Sequence, residues 1–141
     1  MAFPSQLTLS LGSNMGNREN NIKVALNMLD IALGSHFTAL SPIVETKAIG
    51  FDGADFLDCV VRYNCCKSPL TVLSICKHIE RRMGRTDEPE YAVDGSRIYH
   101  DRIIDIDILT YGNRRISTEV LTIPHPQVES RPYIKELLLN L

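Results

Sequence analysis

The four cysteines of this 141-residue chain form no CxxC pair. Cys59, Cys65, Cys66 and Cys76 have neither zinc-site spacing nor the look of a disulfide framework, so reduced core thiols are expected, as in cytosolic proteins. Blocks of like charge are missing too. Fifteen basic against 17 acidic residues leave a net charge of −2, which gives broad adhesion to nucleic acid or membranes no electrostatic support. No apolar run approaches the roughly 20 residues of a membrane span. Residues 1–14 lack the basic start and long apolar stretch of a signal peptide, so the cytoplasm is the expected location. Internal repeats and low-complexity segments are absent. What is present is an apolar fraction of 44% in 15.9 kDa, enough for one core, and a single domain over residues 1–141 is expected.

The most informative segment is Arg102-Ile103-Ile104-Asp105-Ile106-Asp107-Ile108-Leu109. Aliphatics with carboxylates at alternate positions read as a buried strand that presents Asp105 and Asp107 on one face, with Ile104, Ile106 and Ile108 on the other. The bland alternative is a pair of solvated acids on an open sheet face. Burying both acids requires a shared cation, and hard oxygen ligands favour Mg²⁺, hence phosphate chemistry. Arg102 precedes the pair, and Arg85 stands at the mouth of a long loop; both suit bidentate phosphate contact. Strict alternation places Arg102 opposite the aspartates, so the strand must begin or twist there.

Elsewhere the pattern is regular. A strand over residues 6–11 ends in Gly12-Ser13-Asn14-Met15-Gly16-Asn17, and a helix from about Arg18 stops at Gly34. A strand over residues 37–46 is interrupted at Ser41-Pro42, and another follows over residues 56–64. Ser68 caps and Pro69 opens a second helix ending near Gly84, with Leu70, Leu73, Ile75 or Cys76, Ile79 and Met83 as its apolar stripe. Residues 85–101 have no sustained period and read as a long loop, and loops of that length are often functional lids. The aspartate strand then turns at Tyr111-Gly112-Asn113, with a hairpin into a short strand near residues 115–118 expected, and a short apolar helix over residues 134–139 closes the chain. The fold class is α+β, a ferredoxin-like β-α-β-β-α-β antiparallel sheet with helices on one face, a long catalytic loop before the last core strand and a short C-terminal extension.

Taken singly, the other candidates are weak. Gly12-Ser13-Asn14 resembles a phosphate-cradling turn only loosely and reads equally as a helix-capping turn. His125 is held between Pro124 and Pro126, which should expose its imidazole. Arg131 alone is a surface charge, and Phe56 and Tyr133 alone are core or rim. Taken together they are specific. Gly12-Ser13-Asn14-Met15-Gly16, Glu45-Thr46 with Gly50, Asp55-Phe56-Leu57-Asp58, Ile79-Glu80 with Gly84-Arg85, Arg102 with Asp105-Ile106-Asp107, and Ile123-Pro124-His125 with Arg131 follow one another in an order that resembles the 6-hydroxymethyl-7,8-dihydropterin pyrophosphokinase family. The resemblance runs from about Leu9 to Tyr133.

That resemblance implies an enzyme that moves the terminal diphosphate of ATP to a pterin alcohol in folate biosynthesis, releasing AMP. It implies that Asp105 and Asp107 hold Mg²⁺, two ions being expected. It makes Arg85 and Arg102 catalytic and ATP-binding, and His125 and Arg131 ATP-binding. Thr46, Phe56, Asp58 and Tyr133 fall at pterin-pocket positions, where a flat ring stacks and hydrogen-bonds. Closure of residues 86–101 over ATP would exclude water. Partners are expected to be small molecules only, ATP and the pterin, with no nucleic acid or membrane, and the protein is expected to be a monomer. Four positions depart from the family pattern: Asp58 replaces asparagine, Lys77 glutamine, Asp87 an arginine and Tyr99 a tryptophan. An acid at position 58 accepts from a ring N–H or amino group but offers no amide donor.

Two other readings use the same features. A nucleotidyltransferase palm also carries paired aspartates on such a sheet, but it needs a basic channel that the net charge of −2 disfavours. A non-catalytic ligand-sensing or RNA-binding module needs exposed aromatics where this chain has acids.

Overall fold

The computed structural model describes residues 3–48, 53–84, 90–98 and 101–141. Strand β1 (Ser5–Ser13) buries Leu7, Leu9 and Leu11 on one face, so alternation sets its orientation. Helix α1 (Arg18–Leu33) starts at Asn17, whose side chain accepts from the Asn20 N–H, and ends at Gly34 in the left-handed region. The next predicted strand is two short ones, β2 (Ala39–Leu40) and β3 (Val44–Thr46), split at the expected place. Ser41 bridges the gap: its N–H donates to the Val60 carbonyl at 2.9 Å and its hydroxyl accepts from the Val60 N–H at 2.8 Å. Both pieces therefore stay on β4 (Phe56–Cys65).

Helix α2 (Pro69–Arg82) has Ser68 as its cap, accepting from the Thr71 N–H. Its buried face is Val72, Cys76, Ile79 and Glu80, and Leu70 is 62% exposed, against the expected stripe. Leu70 lies about 200° round the helix from Val72, too far to share its face. Residues 85–89 lie outside the described part, but beyond them β5 (Glu90–Tyr91) and β6 (Arg97–Ile98) form a small hairpin within the predicted loop. Gly95 at φ 88° and the Asp94 carboxylate, which accepts from the Ser96 N–H, make its turn.

β7 (Asp105–Tyr111) completes the main sheet. The order is β2-β4-β1-β7 with β3 also on β4, every neighbour antiparallel. Each long helix thus connects two strands with one strand between them. Ile104, Ile106 and Ile108 join Leu9, Leu11, Ile22, Cys76 and Ile79 in the core under α1 and α2, as parity predicted. A register shift between Thr8 and Leu9 inserts an extra residue in β7, which returns Tyr111 to that same core.

The expected hairpin onto the aspartate strand does not form. β8 (Ile116–Ser117) pairs instead with β9 (Thr122–Ile123). After α3 (Gln127–Ser130), helix α4 (Pro132–Leu139) packs Ile134 and Leu137 against Val60 and Leu109. Those two residues share the face of Asp105 and Asp107, so helices on one face holds for α1 and α2 and not for the tail. Cys59, Cys65 and Cys76 are buried free thiols, but Cys66 is exposed, so it is no core thiol. Among the described residues no helix is long and apolar enough to cross a membrane.

Candidate active site

Three adjacent strands set out the site by register alone. Asp58, Gly12 and Asp105 lie in one row across β4, β1 and β7, and Val60, Ser10 and Asp107 in the next row but one. Residues directly opposite share a face, so both β7 acids and Asp58 point to the side away from α1 and α2. Gly12 makes the middle of the row hollow. A Cβ there would lie 2.7 Å from Asp58 Oδ1 and 3.3 Å from Phe56 Cδ1, so only glycine fits. Its sequence context suggested a turn glycine; its requirement is instead the close approach that an isolated strand glycine signals.

At the β7 end, the chain bends at Ile103 and the strand begins at Asp105, so Arg102 escapes the alternation that would have placed it opposite. Its Nη1 lies 3.4 Å from Asp105 Oδ1. His125 Nε2 lies 3.9 Å from Asp107 Oδ1, and its Nδ1 accepts from the Gln127 N–H at 3.1 Å. That acceptor role at Nδ1 leaves the ring proton on Nε2, facing the aspartate. Burial, and then the Arg131 charge, hold the imidazole pKa below its ordinary value against the pull of Asp105. The ring is half-buried, not exposed as the flanking prolines suggested.

The pocket side is built on Asp58. Thr46 donates its hydroxyl to the Asp58 carboxylate. Burial pushes the Asp58 pKa up to about 6, with Asp105 adding to the rise while Thr46 and Arg131 oppose it. Arg131 Nη1 donates to the Tyr133 hydroxyl at 3.2 Å. Burial, then Asp58, raises the Tyr133 pKa. Arg131 is thus shared: its charge acts on Asp58, Tyr133 and His125 alike.

The fold therefore brings Thr46, Phe56, Asp58, Arg102, Asp105, Asp107, His125, Arg131 and Tyr133 to one face of the sheet. Arg85 lies outside the described residues, as do Asp87 and Tyr99. Sequence reasoning missed the roles of two residues. Glu80, 1% exposed on α2, accepts the Ile106 N–H at Oε2 from 2.9 Å, so it grips the strand between the two aspartates. Lys77, one of the departures, lies 3.8 Å from its other oxygen. The Asn14 amide is buried and bonded to Ala54, Asp101 and Arg102. A polar residue after an apolar strand gave no hint of partners about 40 and 87 residues away.

Among the described residues no group of three or more His, Cys, Asp and Glu side chains could hold a metal ion. Mg²⁺ binds through one or two carboxylates and takes its remaining ligands from water and substrate phosphates, so it does not need such a group. Asp105 and Asp107, two hard donors on one face beside the side-chain-free Gly12, supply such a pair.

The family model for 7,8-dihydro-6-hydroxymethylpterin-pyrophosphokinase matches residues 8–141. The chain is 38% identical over 129 residues to a 2-amino-4-hydroxy-6-hydroxymethyldihydropteridine pyrophosphokinase of Porphyromonas gingivalis, covering 90% of this chain and 84% of that protein. A Bacillus subtilis protein of the same name is 32% identical over 127 residues, covering 89% of this chain and 71% of that one. The mitochondrial folate synthesis bifunctional protein of Pisum sativum is 36% identical over 137 residues, which is 96% of this chain but only 25% of that longer protein.

Proposed function

This chain belongs to the 7,8-dihydro-6-hydroxymethylpterin-pyrophosphokinase family, and we propose that it carries out the transfer which that name describes. The terminal diphosphate of ATP passes to 6-hydroxymethyl-7,8-dihydropterin, giving AMP and the pterin diphosphate in folate biosynthesis. The observation that supports this reading is the row Asp58, Gly12, Asp105, in which Asp58 and the first β7 carboxylate share one face, one strand apart.

The roles divide by chemistry. Asp105 and Asp107 would hold Mg²⁺, two ions being expected, and the metal would supply neutralisation of the triphosphate charge. Arg102, already turned toward Asp105, contacts the phosphates, and Arg85 joins it from the loop. His125 presents a neutral Nε2–H donor to ATP, and Arg131 adds a cation beside it. The pterin ring stacks between Phe56 and Tyr133, and Asp58, held by Thr46, accepts from its ring N–H or amino group. The hydroxymethyl oxygen attacks the β-phosphorus of ATP, the bond to the AMP oxygen breaks, and the hydroxyl proton is released to solvent. No covalent intermediate on the protein is needed, because alignment and charge neutralisation carry phosphoryl-type transfer.

We read residues 1–141 as a single domain built round the main sheet, acting as a monomer. The buried thiols of Cys59, Cys65 and Cys76 favour a reducing compartment such as the cytoplasm. The decisive experiment is incubation with ATP, Mg²⁺ and hydroxymethyldihydropterin while AMP and pterin diphosphate are followed. Equal amounts of both support the proposal; pterin-independent AMP, or ADP in place of AMP, overturns it.

A further inference from the structure

Asn14 is 3% exposed, and its polar groups are committed to three separate segments. Nδ2 donates to the Ala54 carbonyl at 2.9 Å and to Asp101 Oδ1 at 2.9 Å. Oδ1 accepts the Arg102 N–H at 2.6 Å, and the Asn14 N–H donates to the Arg102 carbonyl at 3.0 Å. Both backbone polar groups of Arg102 are therefore held by one residue. The same amide holds Ala54, two residues before Phe56 opens the pocket strand, and Arg18 Nη1 braces the neighbouring Asp55 carbonyl at 2.8 Å. Asn14 directly follows the strand that carries Gly12.

Asparagine is the residue type this junction requires. A planar amide offers two donors and an acceptor, which is what Ala54, Asp101 and Arg102 take up. Aspartate at position 14 would keep the Arg102 bond but set a carboxylate oxygen against the Ala54 carbonyl and the Asp101 carboxylate, both acceptors. Both amide N–H groups of Asn14 are spent on these segments.

We propose that Asn14 is a positioning residue for the transfer, fixing the spacing between the pterin pocket and the Arg102 end of the phosphate site. The proposal rests on the pyrophosphokinase reading above. Transfer requires the acceptor oxygen and the phosphorus to meet in line, and a misplacement near 1 Å costs on the order of a hundredfold in rate. Loosening the junction removes no pocket group and no phosphate ligand. Its loss therefore appears in the chemical step more than in the binding of either substrate alone.

The test compares wild type with Asn14→Ala, Asn14→Asp, Asp101→Asn and a double variant that combines Asn14→Asp with Asp101→Asn. In the double variant amide and carboxylate exchange places. The amide now at position 101 donates to the carboxylate now at position 14, which restores one of the lost bonds. Single-turnover rates with ATP, Mg²⁺ and hydroxymethyldihydropterin are measured beside the separate affinities for the pterin and for a non-transferable α,β-methylene ATP analogue. Asn14→Asp is expected to slow the single turnover by about tenfold or more with both affinities within about threefold, Asp101→Asn to stay near wild type, and the double variant to recover at least about threefold. A rate within about twofold of wild type in Asn14→Asp, parallel loss of both affinities, or no recovery in the double variant overturns the positioning role. A wild-type protein without pterin-dependent AMP release instead overturns the function on which the inference rests.

Discussion

Asp58 shows how burying one acid changes its physics. Its carboxyl pKa is raised from 3.8 to about 6 because burial disfavours the ionised form more than Thr46 and Arg131 favour it. A folded acid with a raised pKa binds more protons than the unfolded chain between about pH 4 and pH 6, so stability falls as pH rises through that window and stays low above it. Asp58→Asn is therefore expected to stabilise the metal-free protein near pH 8, by at most roughly 3 kcal/mol for a shift of this size, and to lose that advantage near pH 4. Denaturant unfolding of both proteins at the two pH values checks this, and an advantage that grows toward acid pH contradicts it. Pterin binding by the same variant should be unchanged or tighter; a large loss would mean that the ring needs an ionised acceptor. Asp105→Ala and Asp107→Ala act differently. Each should abolish turnover, by about a hundredfold or more, with the fold and its melting curve retained, because neither side chain belongs to either buried core. Substantial residual transfer in either variant would show that metal is held elsewhere.

Among the elements, β7 is the one whose placement matters most. β1 supports it from one side, and on its other edge Glu80 accepts the Ile106 N–H from beneath. Glu80→Gln keeps an acceptor for that N–H, whereas Glu80→Ala leaves a buried donor unsatisfied. The alanine variant should be the less stable by about 1–3 kcal/mol, read from denaturant midpoints, and equal midpoints would mean that Ile106 does not depend on this bond. Much of this arrangement was legible beforehand. The alternation of Ile104, Ile106 and Ile108 against Asp105 and Asp107 fixed the β7 faces, and Ser68-Pro69 and Gly34 marked helix ends, because those signals are local. The grip of Glu80, the reach of Asn14 and the clash that makes Gly12 obligatory depend on residues far away in the chain. Leu70 failed for a different reason: several apolar residues on α2 compete for the buried face, and the sheet chose the stripe through Val72. The β5–β6 hairpin rests on strands of two residues each, too short for alternation to show.

At the scale of the molecule, the sheet separates two cores of unequal size, and the candidate site borders the smaller. The larger lies under α1 and α2 and includes Val72, Cys76 and Ile79; the smaller joins Val60 and Leu109 to Ile134 and Leu137 of the tail. Arg131 and Tyr133, at the start of α4, reach the pocket only because that helix is docked on the sheet. The tail core therefore stabilises and positions at once, whereas the helix-side core supports the sheet from behind. Leu137→Ala and Val72→Ala separate these duties. Leu137→Ala should cost about 2–5 kcal/mol and the smaller Val72 deletion somewhat less, since each removes buried methyl groups. Only Leu137→Ala should also raise the pterin KM, because a loosened α4 no longer holds Tyr133 against the ring and Arg131 near Asp58. Steady-state kinetics well below each variant's melting temperature distinguish the two. If the pterin KM rises equally in both variants, the pocket depends on global stability and not on the docking of the tail.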